Sequence, residues 1–272
     1  MKGLINEEFE LNTYIGDNGL YYNPNNKNLS YLTSIEPVDI SMLETELMKK
    51  ERNQIILGAS YDPYPLIESD LGITRKALEL LDKYKCGVTI FTKSKLILND
   101  LDVLDSIAKH SKVVVMVKMC TTNNNDMKNI DGTQLQDKLQ ILAGLSKHDI
   151  SIGFDVSPIL PFLNDDINTV DGLVSLAIHY NADYFMFRGA SIIISNKHKE
   201  AVYHALDDNY FGLRRKYDAI RGEQYVIDSP KAKMLQSYIE GAFVDSNIVH
   251  DSETIMKNIR GYHRKHKQLS FV

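Results

Sequence analysis

Tryptophan is absent and cysteine nearly so: the 272-residue chain carries only Cys86 and Cys120. Neither has a second cysteine within metal-ligand spacing, so neither a disulfide framework nor a cysteine-rich metal site is expected. No run approaches the ~20 apolar residues that a membrane span needs. The chain opens Met1-Lys-Gly-Leu-Ile-Asn-Glu-Glu8, with no apolar signal core. The expected compartment is the reducing cytoplasm, and no membrane partner is expected. An excess of positive charge is lacking too. A formal net charge of −5 argues against a surface that binds nucleic acid broadly by phosphate neutralisation. A local basic patch stays open in the tail Lys257-Asn-Ile-Arg-Gly-Tyr-His-Arg-Lys-His-Lys267, although such a run is usually a solvated helix end. His263 and His266 in that tail stand at i, i+3, a weak metal signal without a third ligand.

What is present is an ordinary globular composition, with 43% hydrophobic and 25% charged residues. A chain of this length builds a core without disulfide staples. Short β-rich runs alternate with helical patterns. Strands are expected at Phe9–Tyr14, Ile55–Ala59, Val88–Thr92, Val113–Val117, Ile150–Ser157 and Ala182–Phe187. Helices are expected at Ile40–Arg52, after Ser69-Asp70 as an N-cap, near Asn99–Lys109, at 133–147 and near 167–180. Gly16 to Lys27 reads as a polar, Asn-rich loop that is mobile or repacked. From Asn196 onward the pattern is mostly helical, with one short strand at Gln224–Ile227.

Six strands separated by helices imply parallel pairing with right-handed crossovers, as an open six-unit barrel or a doubly wound sheet. Near-continuous apolar strands suit a sheet covered on both faces. The expected division is a (βα)6 barrel over residues 1–195 and a helical extension over 196–272 packed on the same domain.

In parallel α/β folds, ligands meet the C-terminal ends of the strands. That rule selects Tyr61, Asp62, Thr92, Lys93, Ser94, Thr121, Asn164 and Arg188 as the candidate pocket. Asp62 and Lys93 follow neighbouring strands. They either close the rim as a structural ion pair, face to face, or bracket the amino and carboxylate ends of a zwitterionic ligand. Asn164-Asp165-Asp166 suits a loop and helix N-cap better than a metal site. Cys120 is either a reactive thiol at a strand end or a buried, inert one, and the second reading is favoured.

At these strand ends the chain resembles the spore-photoproduct-lyase-like branch of the radical SAM superfamily. The segments that carry the resemblance are Leu57-Gly-Ala-Ser-Tyr-Asp-Pro-Tyr64, Leu71-Gly-Ile-Thr-Arg-Lys-Ala-Leu-Glu-Leu-Leu81 and Thr92-Lys-Ser-Lys-Leu-Ile-Leu-Asn-Asp-Leu-Asp-Val-Leu104. Pro158-Ile-Leu-Pro-Phe-Leu-Asn164, Phe211-Gly-Leu213, Tyr225 and Ser229-Pro230 add to it. The fold that the resemblance implies is an open (βα)6 partial barrel. Its members place a Cys-x3-Cys-x2-Cys loop after the first strand. Those thiolates hold three irons of a [4Fe–4S] cluster, and the fourth iron chelates S-adenosylmethionine. Here the corresponding stretch is Leu11-Asn-Thr-Tyr-Ile-Gly-Asp17-Asn-Gly-Leu-Tyr-Tyr-Asn23-Pro24. Its Asp17, Leu20, Tyr21, Asn23 and Pro24 form a degenerate cluster loop without a thiolate, and oxygen ligands replace thiolates poorly on Fe–S iron. Tyr61 stands where the family has Ser beside the Asp, and Lys93 is retained.

The expectation is therefore a degenerate member without a metal, a [4Fe–4S] cluster or radical chemistry. S-Adenosylmethionine would lose two charge-assisted contacts of about 1.5–3 kcal/mol each, which weakens its binding by roughly 10²–10⁴-fold. Three functions compete. One is a non-enzymatic protein that binds a nucleoside-like ligand or a protein partner. Another is an enzyme that uses the barrel mouth for non-radical chemistry. The third is a nucleic-acid repair-associated factor, on family analogy alone.

Overall fold

A computed structural model describes residues 4–23, 28–49, 53–194, 199–221 and 226–261. Six strands form one parallel sheet: β1 (Glu10–Leu11), β4 (Gln54–Leu57), β5 (Gly87–Thr92), β6 (Val113–Met119), β7 (Ser151–Val156) and β8 (Tyr184–Phe187). Their spatial order follows the chain, β1-β4-β5-β6-β7-β8, with no reversal. That order removes the doubly wound alternative, which needs a switch point, and gives an open, partial (βα)6 barrel.

The strands between β1 and β4 hold the first departure from expectation. Residues 16–23 do not form a loop: Tyr14–Asn23 is strand β2, antiparallel to β3 (Asn28–Pro37). The Gly, Asp and Asn residues suggested a loop, and apart from Tyr21 and Tyr22 local propensity does not favour a strand; the ladder to β3 overrides it. The sheet keeps only Glu10–Leu11 of the expected first strand, and Tyr14 already belongs to the hairpin. Between β8 and the C-terminus, β9 (Ser191–Ile193) pairs with β10 (Val226–Asp228), so the expected short strand exists with an unforeseen partner.

Helices α1 (Leu43–Lys49), α2 (Glu68–Leu71), α3 (Ile73–Lys83), α4 (Leu101–Ala108), α5 (Asn124–Asp126), α6 (Leu135–Leu145) and α7 (Ile167–His179) occupy the connections. They are followed by α8 (Lys199–Asn209), α9 (Leu213–Arg221), α10 (Ala232–Ala242) and α11 (Ser252–Arg260). One face of the sheet, including Ile55, Val88, Val115 and Phe154, packs in one core with Leu78 of α3, Leu104 of α4, Leu142 of α6 and Leu173 of α7. The other face, with Ile56, Phe91, Val114, Met116, Tyr184 and Met186, packs against Ile255 and Ile259 of α11. Each of these two isoleucines, fully buried, contributes about 1.5–3 kcal/mol by leaving water. Thr89 Oγ1 donates to the carbonyl of Ile259 (2.7 Å), and Lys112 Nζ to that of Asn258 (3.2 Å), which satisfies the end of α11. No helix among the described residues is long and apolar enough to cross a membrane. The tail beyond Gly261, with His263 and His266, lies outside the described residues.

Ser69-Asp70 does not cap the helix that follows. Gly72 sits at φ 59°, in the left-handed region, and breaks α2 from α3. The buried carboxylate of Glu68 accepts the N–H groups of Ile73 (3.0 Å), Thr74 (2.9 Å) and Arg75 (3.2 Å), the orphan donors of α3. It also takes the hydroxyl proton of Tyr14 in a short hydrogen bond, and Thr13 Oγ1 meets Thr74 Oγ1 at 2.9 Å. The exit from β1 is thus pinned to the start of α3. Glu68→Ala should lower the unfolding free energy by roughly 2–4 kcal/mol, since it strands several buried donors, measured by urea denaturation. Ser69→Ala should cost no more than about 0.5 kcal/mol; equal costs for the two variants would return the cap to Ser69.

Candidate functional site

The mouth is built from the segments after β4, β5, β6, β7 and β8. Asp62, after β4, accepts from Thr92 Oγ1 (2.7 Å), from the backbone N–H of Lys93 (2.8 Å) and from that of Tyr64 (3.0 Å). Thr92 in turn accepts from the N–H of Ser94 (3.0 Å), and the Ser94 hydroxyl receives the N–H of Leu96 (3.4 Å) to start the 3-10 turn at Lys95–Asp100. This ties the end of β4 to the end of β5. Gly58 makes the approach feasible, because a Cβ there would lie 2.1 Å from the Phe91 carbonyl oxygen and its φ is +86°. Tyr61 is half-buried and makes no side-chain hydrogen bond among the described residues.

Asp62 and Lys93 do not form the expected ion pair. Asp62 takes the backbone of Lys93, whereas Lys93 Nζ turns to the loop after β6. There it donates to the carbonyl of Asp131 (2.7 Å) and stands 3.4 Å from its carboxylate. Asp131 is 3% exposed and has a second cation, Lys138 of α6, at 3.0 Å; the Lys138 side chain is fully buried. Burial alone would raise the Asp131 pKa, but Lys138 and Lys93 outweigh it and hold the carboxyl well below the usual range. Burial opposes the Lys93 ammonium, yet Asp131 and then Asp62 raise its pKa above the ordinary lysine value. Lys138, wholly desolvated, is lowered by burial despite Asp131. Lys93, 34% exposed, is the one member of this cluster that meets solvent appreciably.

The remaining candidates divide. Thr121 is buried and its hydroxyl accepts the N–H of Asn123 (3.0 Å). Asn164 is also buried; it donates to the carbonyls of Cys120 (2.8 Å) and Pro158 (3.0 Å) and accepts the N–H of Leu160 (2.6 Å). Both hold loops and are spent on that task. Asp166 caps α7 by accepting the N–H of Thr169 (3.0 Å), in accord with the N-cap reading. Arg188 alone reaches the inner wall, where its Nε donates to Asp155 Oδ1 (2.5 Å). Asp17, Leu20, Tyr21 and Asn23 lie on β2, and Pro24 lies outside the described residues.

Both cysteines are buried. Cys86 precedes β5, at the end of the barrel away from the mouth. Cys120 follows β6, with its Sγ 3.8 Å from Met127 Sδ, and burial pushes its thiol far above the ordinary value. Among the described residues, no three His, Cys, Asp or Glu side chains converge on a common point. Sequence reasoning missed Asp131, Lys138 and Asp155. Alternation along β7 carried a signal for Asp155, whereas nothing local marked the other two.

No protein-family model and no curated protein sequence matches the chain. Among solved structures, a cysteine-to-serine variant of spore photoproduct lyase is similar, with a TM-score of 0.60 at 12% identity over 88% of this chain and 74% of that one. The radical S-adenosylmethionine methyltransferase TsrM from Kitasatospora setae, with tryptophan substrate and an S-adenosylmethionine analogue bound, gives 0.51 at 11% identity. That likeness covers 87% of this chain, which spans about half (51%) of the methyltransferase. The likeness is one of fold: the chain has the α/β architecture of radical SAM enzymes.

The charge cluster generates a test. Lys138→Met should destabilise the protein by about 3–5 kcal/mol, because it leaves Asp131 buried beside a single cation. Adding Asp131→Leu should recover most of that loss in urea denaturation. The sign of the pH effect follows from the lowered Asp131 pKa. Its stabilisation is complete above an ordinary Asp pKa near ~4 and is lost as pH falls below that. The acid limb of the stability profile should be shallower for Asp131→Asn than for the wild type.

Proposed function

We propose that this chain is a radical-SAM-like protein without the cluster, which binds a nucleoside- or S-adenosylmethionine-type ligand at its barrel mouth and carries out no radical chemistry. The thiol inventory carries the reading. A site-differentiated [4Fe–4S] cluster takes three protein ligands, ordinarily thiolates. The whole sequence has two cysteines, both buried and belonging to opposite ends of the barrel. Neither lies in the segment after β1 where the family places its motif. The residues present therefore do not fit the cluster.

Without that electron source the mouth still offers recognition groups. Lys93 and Arg188 are partly exposed there, above a floor sealed by α11. In this reading the βα units supply the ligand site and α11 closes it from below. An anchor lost with the cluster costs S-adenosylmethionine roughly 10²–10⁴ in affinity, so the adenosine moiety carries a larger share of the binding. The cytoplasm is the compartment proposed for such a binding protein.

Anaerobic purification with iron, sulfide and reductant tests the proposal. The isolated chain should stay colourless and form no 5′-deoxyadenosine from S-adenosylmethionine, while adenosine should bind by calorimetry. A brown protein that cleaves S-adenosylmethionine would overturn it.

A further inference from the structure

The pleat of the sheet decides which side chains line the inner wall above α11. Met116 pairs with Gly153 and Gly153 with Tyr184; one step nearer the mouth, Lys118 pairs with Asp155 and Asp155 with Met186. Side chains alternate along a strand, so Lys118 shares the face of Val114 and Met116, which pack with α11. Arg188, one residue past β8, shares the face of Tyr184 and Met186. Directly above the apolar floor Lys118 and Asp155 are thus neighbours on the inner face, and Arg188, two residues past the Met186 that pairs with Asp155, reaches back to Asp155 to complete a polar layer.

Arg188 is held on two sides. Its Nε donates to Asp155 Oδ1 at 2.5 Å, and its guanidinium carbon stands 5.4 Å from the centroid of the Phe91 ring. Its Nη groups make no hydrogen bond among the described residues, and its side chain is 45% exposed while that of Asp155 is 6%. An arginine that served only to neutralise Asp155 would favour two parallel N–H bonds to it. Here one bond and one ring fix the plane of the guanidinium, and its outer donors remain for another acceptor. The sealed floor stops a ligand at this depth.

We propose that this layer is an oxyanion subsite. Arg188 grips the phosphate or carboxylate of a small ligand through its Nη groups. The proposal rests on the binding function given above and names the group its ligand carries; with a nucleoside-type pocket, that ligand is a nucleotide or an adenosyl amino acid.

Calorimetric titration tests this with two matched pairs, AMP against adenosine and S-adenosylmethionine against methylthioadenosine, together with inorganic phosphate. The wild type should prefer at least one oxyanion-bearing member by about 10–100-fold, the worth of a charge-assisted pair of contacts. The preferred pair identifies phosphate or carboxylate as the group. Arg188→Gln should erase the preference, bringing the affinity for the oxyanion-bearing member down to that of its partner without the oxyanion. Because that variant leaves Asp155 without its cation, the charge-neutral Arg188→Gln/Asp155→Asn variant, checked for a wild-type unfolding midpoint, should lose the preference as well. Adenosine binding with no preference in either pair would overturn the subsite and leave the binding function standing. Phosphate binding that depends on Arg188, with no adenosine affinity, would do the reverse. No binding by any of the five probes would overturn both.

Discussion

A six-stranded parallel sheet has two apolar faces and two open edges, and what covers them sets the rest of this molecule. The helices between strands cover one face, as the right-handed crossover requires. The other face is covered near its base by α11, whose Ile255 and Ile259 pack on Ile56, Phe91, Val114 and Met116. The same segment joins the two edges. Val249, just before α11, bridges to Tyr184 of β8, and Arg260 at its end meets Glu8 (2.7 Å) and Glu10 (3.7 Å) at β1. The surface ion pair adds little by itself; the apolar seal is what confines polar chemistry to the mouth.

Within the mouth, charges are compensated in layers of unequal solvent access. Asp62 is satisfied by a hydroxyl and two backbone N–H groups, so it needs no cation. Lys93 is thereby released to Asp131, which Lys138 also holds from a fully buried position. Asp155 is met by a single donor of Arg188. The outcome is that, of the charged groups in these two clusters, the cations Lys93 and Arg188 keep the larger exposure and Asp131 and Asp155 are buried, in a chain of net charge −5. That distribution suits a small anionic ligand better than a broad nucleic-acid surface, which needs many cations together.

The strands and the βα alternation were legible because continuous apolar runs such as Val113–Val117 and 3.6-periodic stripes such as Leu78 and Leu81 are local signals. The residues at the strand ends were legible because each follows an apolar run that marks its strand. The hairpin β2–β3 was misread, since its polar residues suggest a loop until a partner strand supplies the ladder. The cap of α3 was misread because Glu68 reaches it from beyond the Gly72 break, outside the usual N-cap position.

The sequence alone determined the thiol count, the parallel α/β class and the list of strand-end residues. Each depends on composition or on periods of two and 3.6 residues, which need no knowledge of distant contacts. Only the tertiary structure decided which of those residues share charge. Lys93 and Asp131, like Arg188 and Asp155, are far apart in the chain and meet across neighbouring strands. Which carboxylate a cation takes depends on burial and on hydrogen bonds already spent, and those exist only once the barrel has closed over α11.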